Sequence, residues 1–274
     1  MNISPDITFG ATANVFGRTL SLEEVRQQAP AVFAEAAHQR LSSKYTMIST
    51  ERVLAALLSA GFVLADARQT RTHRASALYV QHVVRLRRRF ETIALRDSCP
   101  EILLRNSHDG SSGYLLQMAL YRAVCSNGLV VSRGAFPAVC VAHRGRVVDE
   151  VVTGALQISE RFDQLAAQVE LMEARLMPKV EQMRFAERAL ALKYPDVAES
   201  GMVPAQLLTI RRPEDMGIDL YTVLNRAQEN LLRGGLSRRG PSGRPTRTRR
   251  VTSIRRDVAL NSRLWDLATE VLAA

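Results

Sequence analysis

Ser107, His108 and Asp109 are consecutive residues whose side chains are the types found in a catalytic triad. A triad requires three groups that converge on one reacting atom from separate elements, whereas neighbours in an extended chain point to alternating faces. The next residue, Gly110, completes an Asp-Gly pair, which is typical of a turn. We therefore predict that residues 107–109 end a strand and that residues 110–113 form a structural turn or hairpin loop. The alternative is a polar, glycine-rich loop whose backbone N–H groups and hydroxyls bind a phosphate.

A second candidate for chemistry is Cys125, which lies close to Asn127 and could act as a nucleophile with His108 as its base. The ordinary alternative is a small, buried thiol at the end of a strand. Cys140 and His143 form a Cys-x-x-His pair without a second pair at ligand spacing, and the other histidines are scattered along the chain. No Walker-type or dinucleotide-binding glycine pattern is present. The sequence assigns no catalytic residue, metal or cofactor, and a non-enzymatic role is favoured.

The strongest compositional signal is the charge, a net +10 produced by 37 basic and 27 acidic residues. Only three of the basic residues are lysines. Residues 233–256 contain nine arginines and no acid, and residues 67–90 contain seven arginines and no acid. Without these two segments the chain has a net charge of −6. Such an uneven distribution is typical of nucleic-acid-binding proteins, and a solvated basic loop with a charged strand face is the alternative.

Within the first basic segment, strand alternation directs Val84 and Leu86 to the core and Arg85 and Arg87 to solvent or a ligand. An edge strand protected from aggregation by its charge would show the same pattern. Arginine binds phosphate through two parallel hydrogen bonds and stacks on bases, which favours nucleic-acid binding without sequence readout. The predicted nucleic-acid-binding residues are Arg85, Arg87, Arg88, Arg89, Arg238, Arg239, Arg244, Arg247, Arg249 and Arg250.

The N-terminal half is predicted to combine short helices with an antiparallel sheet. Ser21 and Glu24 form a capping box, and a helix begins at Thr50 and is closed by Gly61. Between residues 62 and 141 the hydrophobic period changes to that of strands, separated by turn residues. The predicted strands cover 62–69, 79–87, 101–104, 114–124, 128–131 and 138–141. The segment 114–124 also suits a helix, because it is rich in Leu and Met.

The C-terminal half is predicted to be helical. A heptad seam over 148–176 indicates a long helix, which packs on its own fold or, alternatively, forms a coiled coil between subunits. Pro178 separates it from a second helix, and a third covers 219–232. We expect the basic segment 233–256 to be a loop too polar to pack, followed by a last amphipathic helix. The fold class is therefore α+β, as one domain over 1–274: a helix-plus-sheet part over 20–145 and a mainly helical part over 146–274.

Composition also restricts the cellular setting. The 46% hydrophobic residues indicate a folded chain, and no run approaches the roughly 18 apolar residues that a membrane span needs. Residues 1–10 lack the pattern of a secretory signal, and three widely spaced cysteines suit a reducing compartment. We expect a cytoplasmic protein without a membrane partner.

Several stretches resemble a known family. They are Asn106–Tyr114 (NSHDGSSGY), Arg122–Leu129 (RAVCSNGL), Asn225–Gly235 (NRAQENLLRGG) and Asn261–Trp265 (NSRLW). Together they are similar to the family called domain of unknown function 932, which consists of phage- and plasmid-like proteins of prophages and other mobile elements. The Ser49–Thr50 helix start and the basic strand around Arg85–Arg89 also fit this family.

The resemblance implies a mobile-element origin and a bacterial cytoplasm, but no reaction. Combined with the basic segments, it predicts a protein that binds nucleic acid non-specifically. Single-stranded DNA during plasmid entry or recombination is the favoured ligand, and an annealing-type homo-oligomer is the expected assembly. The alternative is an anti-defence or regulatory protein-interaction factor, and an enzyme that processes nucleic acid is less favoured. The roles of Asn106, Ser107, His108, Asp109, Gly110, Cys125 and Asn127 stay open.

Overall fold

A computed structural model describes most of the chain. The described residues are 18–39, 41, 47–70, 77–89, 93, 95–123, 127–131, 136–143, 146–195, 201–240 and 242–274. The side chain of Asn127 is not among the described parts. The fold is α+β, with an antiparallel sheet in the N-terminal half and mainly helices in the C-terminal half, as predicted.

The sheet has six antiparallel strands, of which β1 to β5 are neighbours in chain order and β6 pairs with β4. Its strands are β1 (Phe62–Gln69), β2 (His82–Arg88), β3 (Ser98–Asn106), β4 (Tyr114–Arg122), β5 (Asn127–Val131) and β6 (Val139–Val141). The ambiguous segment 114–124 is therefore a strand. Consecutive antiparallel strands need only short connections, which agrees with the turn residues between the predicted strands.

One face of the sheet forms the main core. Val84 and Leu86 of β2 lie on it, as predicted, together with alternate residues of the neighbouring strands. Two short N-terminal helices, α1 (Leu22–Gln28) and α2 (Thr50–Ser59), precede the sheet. The predicted capping box of α1 is present, and α2 ends just before Gly61, whose φ of +90° is easily adopted only by glycine. Helix α2 contacts β1 with its buried apolar side.

The other face of the sheet is covered in part by the last helix, α7 (Ile254–Ala273). Ile254 and Val258 of α7 pack against Val83, Leu103 and Ala119 of the strands. Arg85 and Arg87 share this face with Val83, because side chains alternate along a strand. The sheet is thus sandwiched between helices of both halves of the chain.

The heptad seam belongs to two helices and not to one. Helices α3 (Val147–Ser159) and α4 (Phe162–Ala174) are separated by a turn at Glu160 and Arg161, so the prediction of one long helix was wrong. The seam residues Val151, Ala155, Ile158, Phe162, Leu165, Val169 and Met172 are buried in the main core. The seam thus faces the chain's own core.

The remaining helices are α5 (Lys179–Lys193), which starts after Pro178 as predicted, and the buried helix α6 (Leu220–Arg233). Short 3₁₀ turns at Pro204–Leu208 and Pro213–Asp215 lie between them, and another at Pro30–Phe33 follows α1. No helix in the described part of the chain is both long and apolar enough to cross a membrane.

The basic segment between α6 and α7 is a β-hairpin, which corrects the prediction of a loop, whereas its strand residues are mostly exposed, as expected of a segment too polar to pack. Strand β7 (Ser237–Arg239) pairs with β8 (Pro245–Arg247). At the base of the hairpin Leu236 is buried, and the backbone N–H of Thr248 donates to its carbonyl oxygen at 2.9 Å. The turn contains Gly243 with a φ of +75°, which permits the close reversal. The buried Leu236 and the paired backbone groups hold this polar segment together with two side chains. Oγ1 of Thr248 accepts from the N–H of Leu236 at 3.0 Å, and Gln206 hydrogen-bonds both backbone groups of Ser237.

Candidate functional site

Polar side chains gather at one end of the core face of the sheet. The first turn of α2 meets the start of β2, the end of β3, the β3–β4 loop, the start of β4 and the residues after β6 there. We call this set the histidine cluster, and its members are Thr50, His82, Asn106, His108, Tyr114 and His143. Thr50, His82, Asn106 and His108 are each at most 1% exposed.

The hydroxyl of Thr50 is the centre of the histidine cluster. Its Oγ1 lies 2.9 Å from Nε2 of His82 and 3.2 Å from Nε2 of His108. Asn106 donates to the same oxygen through Nδ2 at 3.1 Å. The hydroxyl of Tyr114 lies 3.3 Å from this oxygen and donates to the backbone carbonyl of Ile48 at 2.9 Å.

Three histidines that looked scattered in the sequence are therefore close in space. The ring centroids of His82 and His108 are 5.1 Å apart, and those of His108 and His143 are 6.4 Å apart. Nε2 of His143 lies 2.9 Å from Oδ1 of Asn106. Within the described ranges, no group of three or more His, Cys, Asp or Glu residues is placed to hold a metal ion.

The histidine cluster is uncharged at neutral pH. Burial lowers the pKa of His82 to about 4 and that of His108 to about 3, and it also lowers the pKa of His143. The imidazoles stay neutral because desolvation penalises the charged form and no carboxylate is close enough to outweigh it.

The neighbours of His108 form a turn. Oδ1 of Asp109 accepts from the backbone N–H of Ser111 at 2.9 Å, and Oγ of Ser107 accepts from that of Ser112 at 3.0 Å. Gly110 has a φ of +79°. Ser107, His108 and Asp109 therefore do not converge on one atom. Cys125 lies outside the described residues, and Asn127 begins β5.

Contrary to the prediction, Arg85 and Arg87 of β2 do not point freely into solvent. Nε of Arg85 donates to Oε2 of Glu101 at 2.7 Å, and Nε of Arg87 donates to Oε1 at 2.6 Å. Both guanidinium groups also lie over the ring of Tyr121, at 4.1 and 4.8 Å from its centroid. Glu101 is fully buried and accounts for this inward orientation. Arg88 lies over the ring of Phe62 at 5.4 Å, and Arg89 is exposed.

A basic groove of about 790 Å³ lies between the end of α5, the hairpin and α7. Its basic side chains are Lys193, Arg238, Arg247, Arg249, Arg250, Arg256 and Arg263, and none of the described residues that line it is acidic. The floor and walls also include Leu192, Tyr194 and Leu260. Four of the predicted nucleic-acid-binding arginines thus line one concave surface, whereas the exposed Arg239 and Arg244 of the hairpin do not line it.

Lys193, Arg256 and Arg263 also line the basic groove but were not predicted. They belong to two helices that only the tertiary fold brings beside the hairpin. Their positions on predicted helices were readable from the sequence, but the common surface was not.

The two basic segments meet at the first turn of α7. Arg68 of β1 forms an ion pair of 3.2 Å with Asp257, the neighbour of the groove residue Arg256. Arg105 of β3 lies close enough to Arg255 of α7 that the charge of Arg255 lowers the pKa of Arg105, in addition to the lowering by burial. The N-terminus of α7 therefore joins the arginine-bearing face of the sheet to the basic groove.

The polar residues of α6 hold the helix in the interior. Nε2 of Gln228 donates to Oδ1 of Asn261 on α7 at 2.6 Å. Nδ2 of Asn230 donates to the carbonyl of Leu207 at 2.9 Å, and Glu229 pairs with Arg212 at 2.7 Å. The motif over 225–235 therefore fixes α6, whose C-terminus leads into the hairpin that forms one wall of the basic groove.

Fold and sites together define an α+β protein with an antiparallel six-stranded sheet, a buried histidine cluster and a basic groove. The chain belongs to the family described as Domain of unknown function (DUF932), whose family model matches residues 37–265. This confirms the resemblance seen in the motifs. The chain is 38% identical over 267 residues to the UPF0380 proteins YafZ and YfjQ of Escherichia coli (strain K12), and each match covers 96% of both chains. No solved structure matches the chain.

Proposed function

We propose that this protein binds nucleic acid without sequence preference through the basic groove, and that single-stranded DNA is its ligand. The observation that carries the proposal is the lining of the groove by seven basic side chains and, in its described part, by no acid. Six of these side chains are arginines, whose planar guanidinium groups match the geometry of phosphate oxygens.

The other lining residues favour a single strand over a duplex. Tyr194 is partly exposed beside Lys193, whose Nζ lies 5.0 Å from the ring centroid. Leu192 and Leu260 add apolar surface to the same groove. Unstacked bases can pack on such surfaces, whereas a duplex keeps its bases stacked inside. Phosphates would then face the arginines, and bases would face Tyr194.

The resemblance of the sequence motifs to phage- and plasmid-like proteins gives this proposal its expected biological setting. Phage- and plasmid-like elements pass through single-stranded intermediates during plasmid entry and recombination. A protein that holds a single strand by its backbone leaves the base edges free for pairing, which is the requirement for annealing. We extend the proposal to an annealing-type role in a homo-oligomer in the bacterial cytoplasm.

The proposal is tested by fluorescence anisotropy of a labelled oligonucleotide of mixed sequence, as a single strand and as a duplex. We expect tighter binding of the single strand and a linear decrease of log K with log salt. Release of counterions from about four phosphates gives a slope near −3 for a single strand. An absence of binding at about 50 mM salt would refute the proposal, since non-specific binding is strongest at low salt.

A second candidate function, binding of a protein partner, is favoured by one observation. Leu171, Leu176, Val180, Met216 and Ile218 are each between 50% and 65% exposed. The backbone N–H of Met177 donates to the carbonyl of Ile218 at 2.9 Å, which places the two short segments side by side. Adjacent exposed apolar side chains of this kind are typical of interaction surfaces. A variant with Leu176 and Ile218 replaced by serine would lose partner binding but keep DNA binding.

A further inference from the structure

The protonation of the histidine cluster follows from its contacts. Nδ1 of His82 lies 3.2 Å from the carbonyl oxygen of Val80. A carbonyl only accepts hydrogen bonds, so Nδ1 of His82 carries the proton and Nε2 of the neutral ring has the lone pair. The hydroxyl of Thr50, 2.9 Å away, therefore donates to Nε2 of His82.

The donation to His82 uses the only proton of the Thr50 hydroxyl, so its other partners must donate to it. Asn106 does so through Nδ2, and His108 must do so through Nε2. Tyr114 directs its own proton to the carbonyl of Ile48. The neutral ring of His108 therefore carries its proton on Nε2 and its lone pair on Nδ1.

Nδ1 of His108 is buried and has no hydrogen-bond partner among the described residues. A buried acceptor without a partner costs about 1–3 kcal/mol, so its retention needs an explanation. His108 is otherwise firmly held, because its ring is fully buried and its backbone accepts from His38 at 3.1 Å. The structure thus maintains an unsatisfied base in a fixed orientation.

We propose that His108, Thr50 and His82 form a proton relay that ends in the unpaired Nδ1 of His108, and that this nitrogen is the acid–base centre of a second site that takes the O–H or N–H group of a ligand. A proton received at Nδ1 of His108 allows its Nε2 proton to move to Thr50. The original hydroxyl proton of Thr50 then moves to Nε2 of His82. The net result is one proton added to His82, which becomes a cation, while His108 returns to neutrality with its proton on Nδ1 instead of Nε2.

The charged and titratable groups around the relay limit how many protons it can hold. Among the described residues, the ring of His143 lies 6.4 Å from that of His108 and 5.0 Å from that of Tyr114, and Asp109 is the acid whose charge acts on His108. The charge interaction with His82 disfavours two protonated rings at once. The relay therefore accepts one proton, shared by the two rings through Thr50.

The relay is tested by NMR of the full chain with ¹⁵N-labelled histidine. At pH 7.5 we expect opposite tautomers, with the proton of His82 on Nδ1 and that of His108 on Nε2, and Nδ1 of His108 at the shift of a free lone pair. A hydrogen-bonded shift of this nitrogen in the free protein would overturn the proposal. On acidification both rings should move together in wild type and in Thr50→Ser. In Thr50→Val, which has the same shape without the hydroxyl, the coupling should weaken to that of charge repulsion between the two rings alone, and unchanged coupling there would overturn the relay.

The ligand site is tested with imidazole, which has an N–H donor, and 1-methylimidazole, which lacks it. We expect imidazole to shift the Nδ1 signal of His108 in a saturable manner and 1-methylimidazole to leave it unchanged. Equal shifts with both probes, or none with either, would overturn the assignment of a donor-binding site. Failure of this site would leave the proposal for the basic groove unaffected, since no residue is shared between them.

Discussion

Oε1 of Glu101 accepts a 2.6 Å hydrogen bond from Nε of Arg87, while its other oxygen accepts from Arg85. One fully buried carboxylate thus holds two of the arginines that the sequence pattern directed outward. These ion pairs hold the side chains of Arg85 and Arg87 within the fold, so that they are not free to bind a ligand.

Replacing Glu101 by Gln keeps the shape but removes the charge that both guanidinium groups face. We expect the free energy of unfolding to fall by about 3 kcal/mol, because two buried cations lose their partner. Urea unfolding followed by circular dichroism measures this loss. Glu187→Gln on the exposed side of α5 is the matched control and should change stability by less than about 0.5 kcal/mol. A loss of similar size in both variants would contradict this role of Glu101.

Acid should destabilise the protein through the histidine cluster. The pKa values of His82 and His108 in the fold, about 4 and about 3, lie below the ordinary value of 6.5, so the unfolded chain binds more protons. Their contribution is therefore complete above pH 6.5 and is lost as the pH falls from 6.5 towards 4. Each histidine contributes a slope of about 1.4 kcal/mol per pH unit in this range. Urea unfolding at pH 7.5, 6.0 and 5.0 checks this, and His108→Asn should reduce the slope by about half of the histidine contribution.

Removing groove arginines should weaken the binding of single-stranded DNA. For Arg247→Ala, Arg249→Ala and Arg250→Ala combined, we expect the salt slope to become shallower by about 2, since three phosphate contacts are lost. The matched control replaces Arg52, Arg146 and Arg184, which are exposed and do not line the basic groove, and it removes the same charge. An equal effect of the two triple variants would show that net charge, and not the groove, binds the DNA.

Gly234 is the position at which the hairpin wall is most sensitive to substitution. Its φ is +72°, and an added Cβ would lie 2.6 Å from the carbonyl carbon of Arg249. We expect Gly234→Ala to destabilise the protein by more than about 1 kcal/mol and to weaken DNA binding, because the backbone that carries Arg249 must move. Gly128→Ala, where nothing lies within 4 Å, is the control for thermal unfolding and anisotropy. Unchanged binding in Gly234→Ala would separate the hairpin backbone from the ligand contacts.

The strands were predictable because apolar segments of strand length are separated by turn residues. The break between α3 and α4 was not, because the spacing from Ile158 to Phe162 keeps the heptad phase through the turn. The hairpin was missed because its order depends on paired backbone groups, on Leu236 and on hydrogen bonds to Gln206, which a composition rich in Arg and Gly conceals.

The histidine cluster could not be predicted from the sequence because it depends on strand register. His82 lies opposite Asn106 in the pairing of β2 with β3. A shift of two residues would leave every side chain on the same face, so alternation alone cannot specify this pair. Thr50 was visible only as the start of a helix, and the partner of Arg85 lies sixteen positions away in another strand.

The base of the hairpin determines how this segment is joined to α6 and α7. The backbone N–H of Gly235 donates to the carbonyl of Thr248 at 2.8 Å, so the chain leaves the body of the fold and returns to it at adjacent points. The residues between them form the hairpin, whose base is held to the fold by the buried Leu236 and by Gln206, which hydrogen-bonds Ser237. We therefore expect a change of length at the hairpin tip to leave the ends of α6 and α7 in place. One wall of the basic groove is thus carried by a segment that can vary independently of the helices on either side.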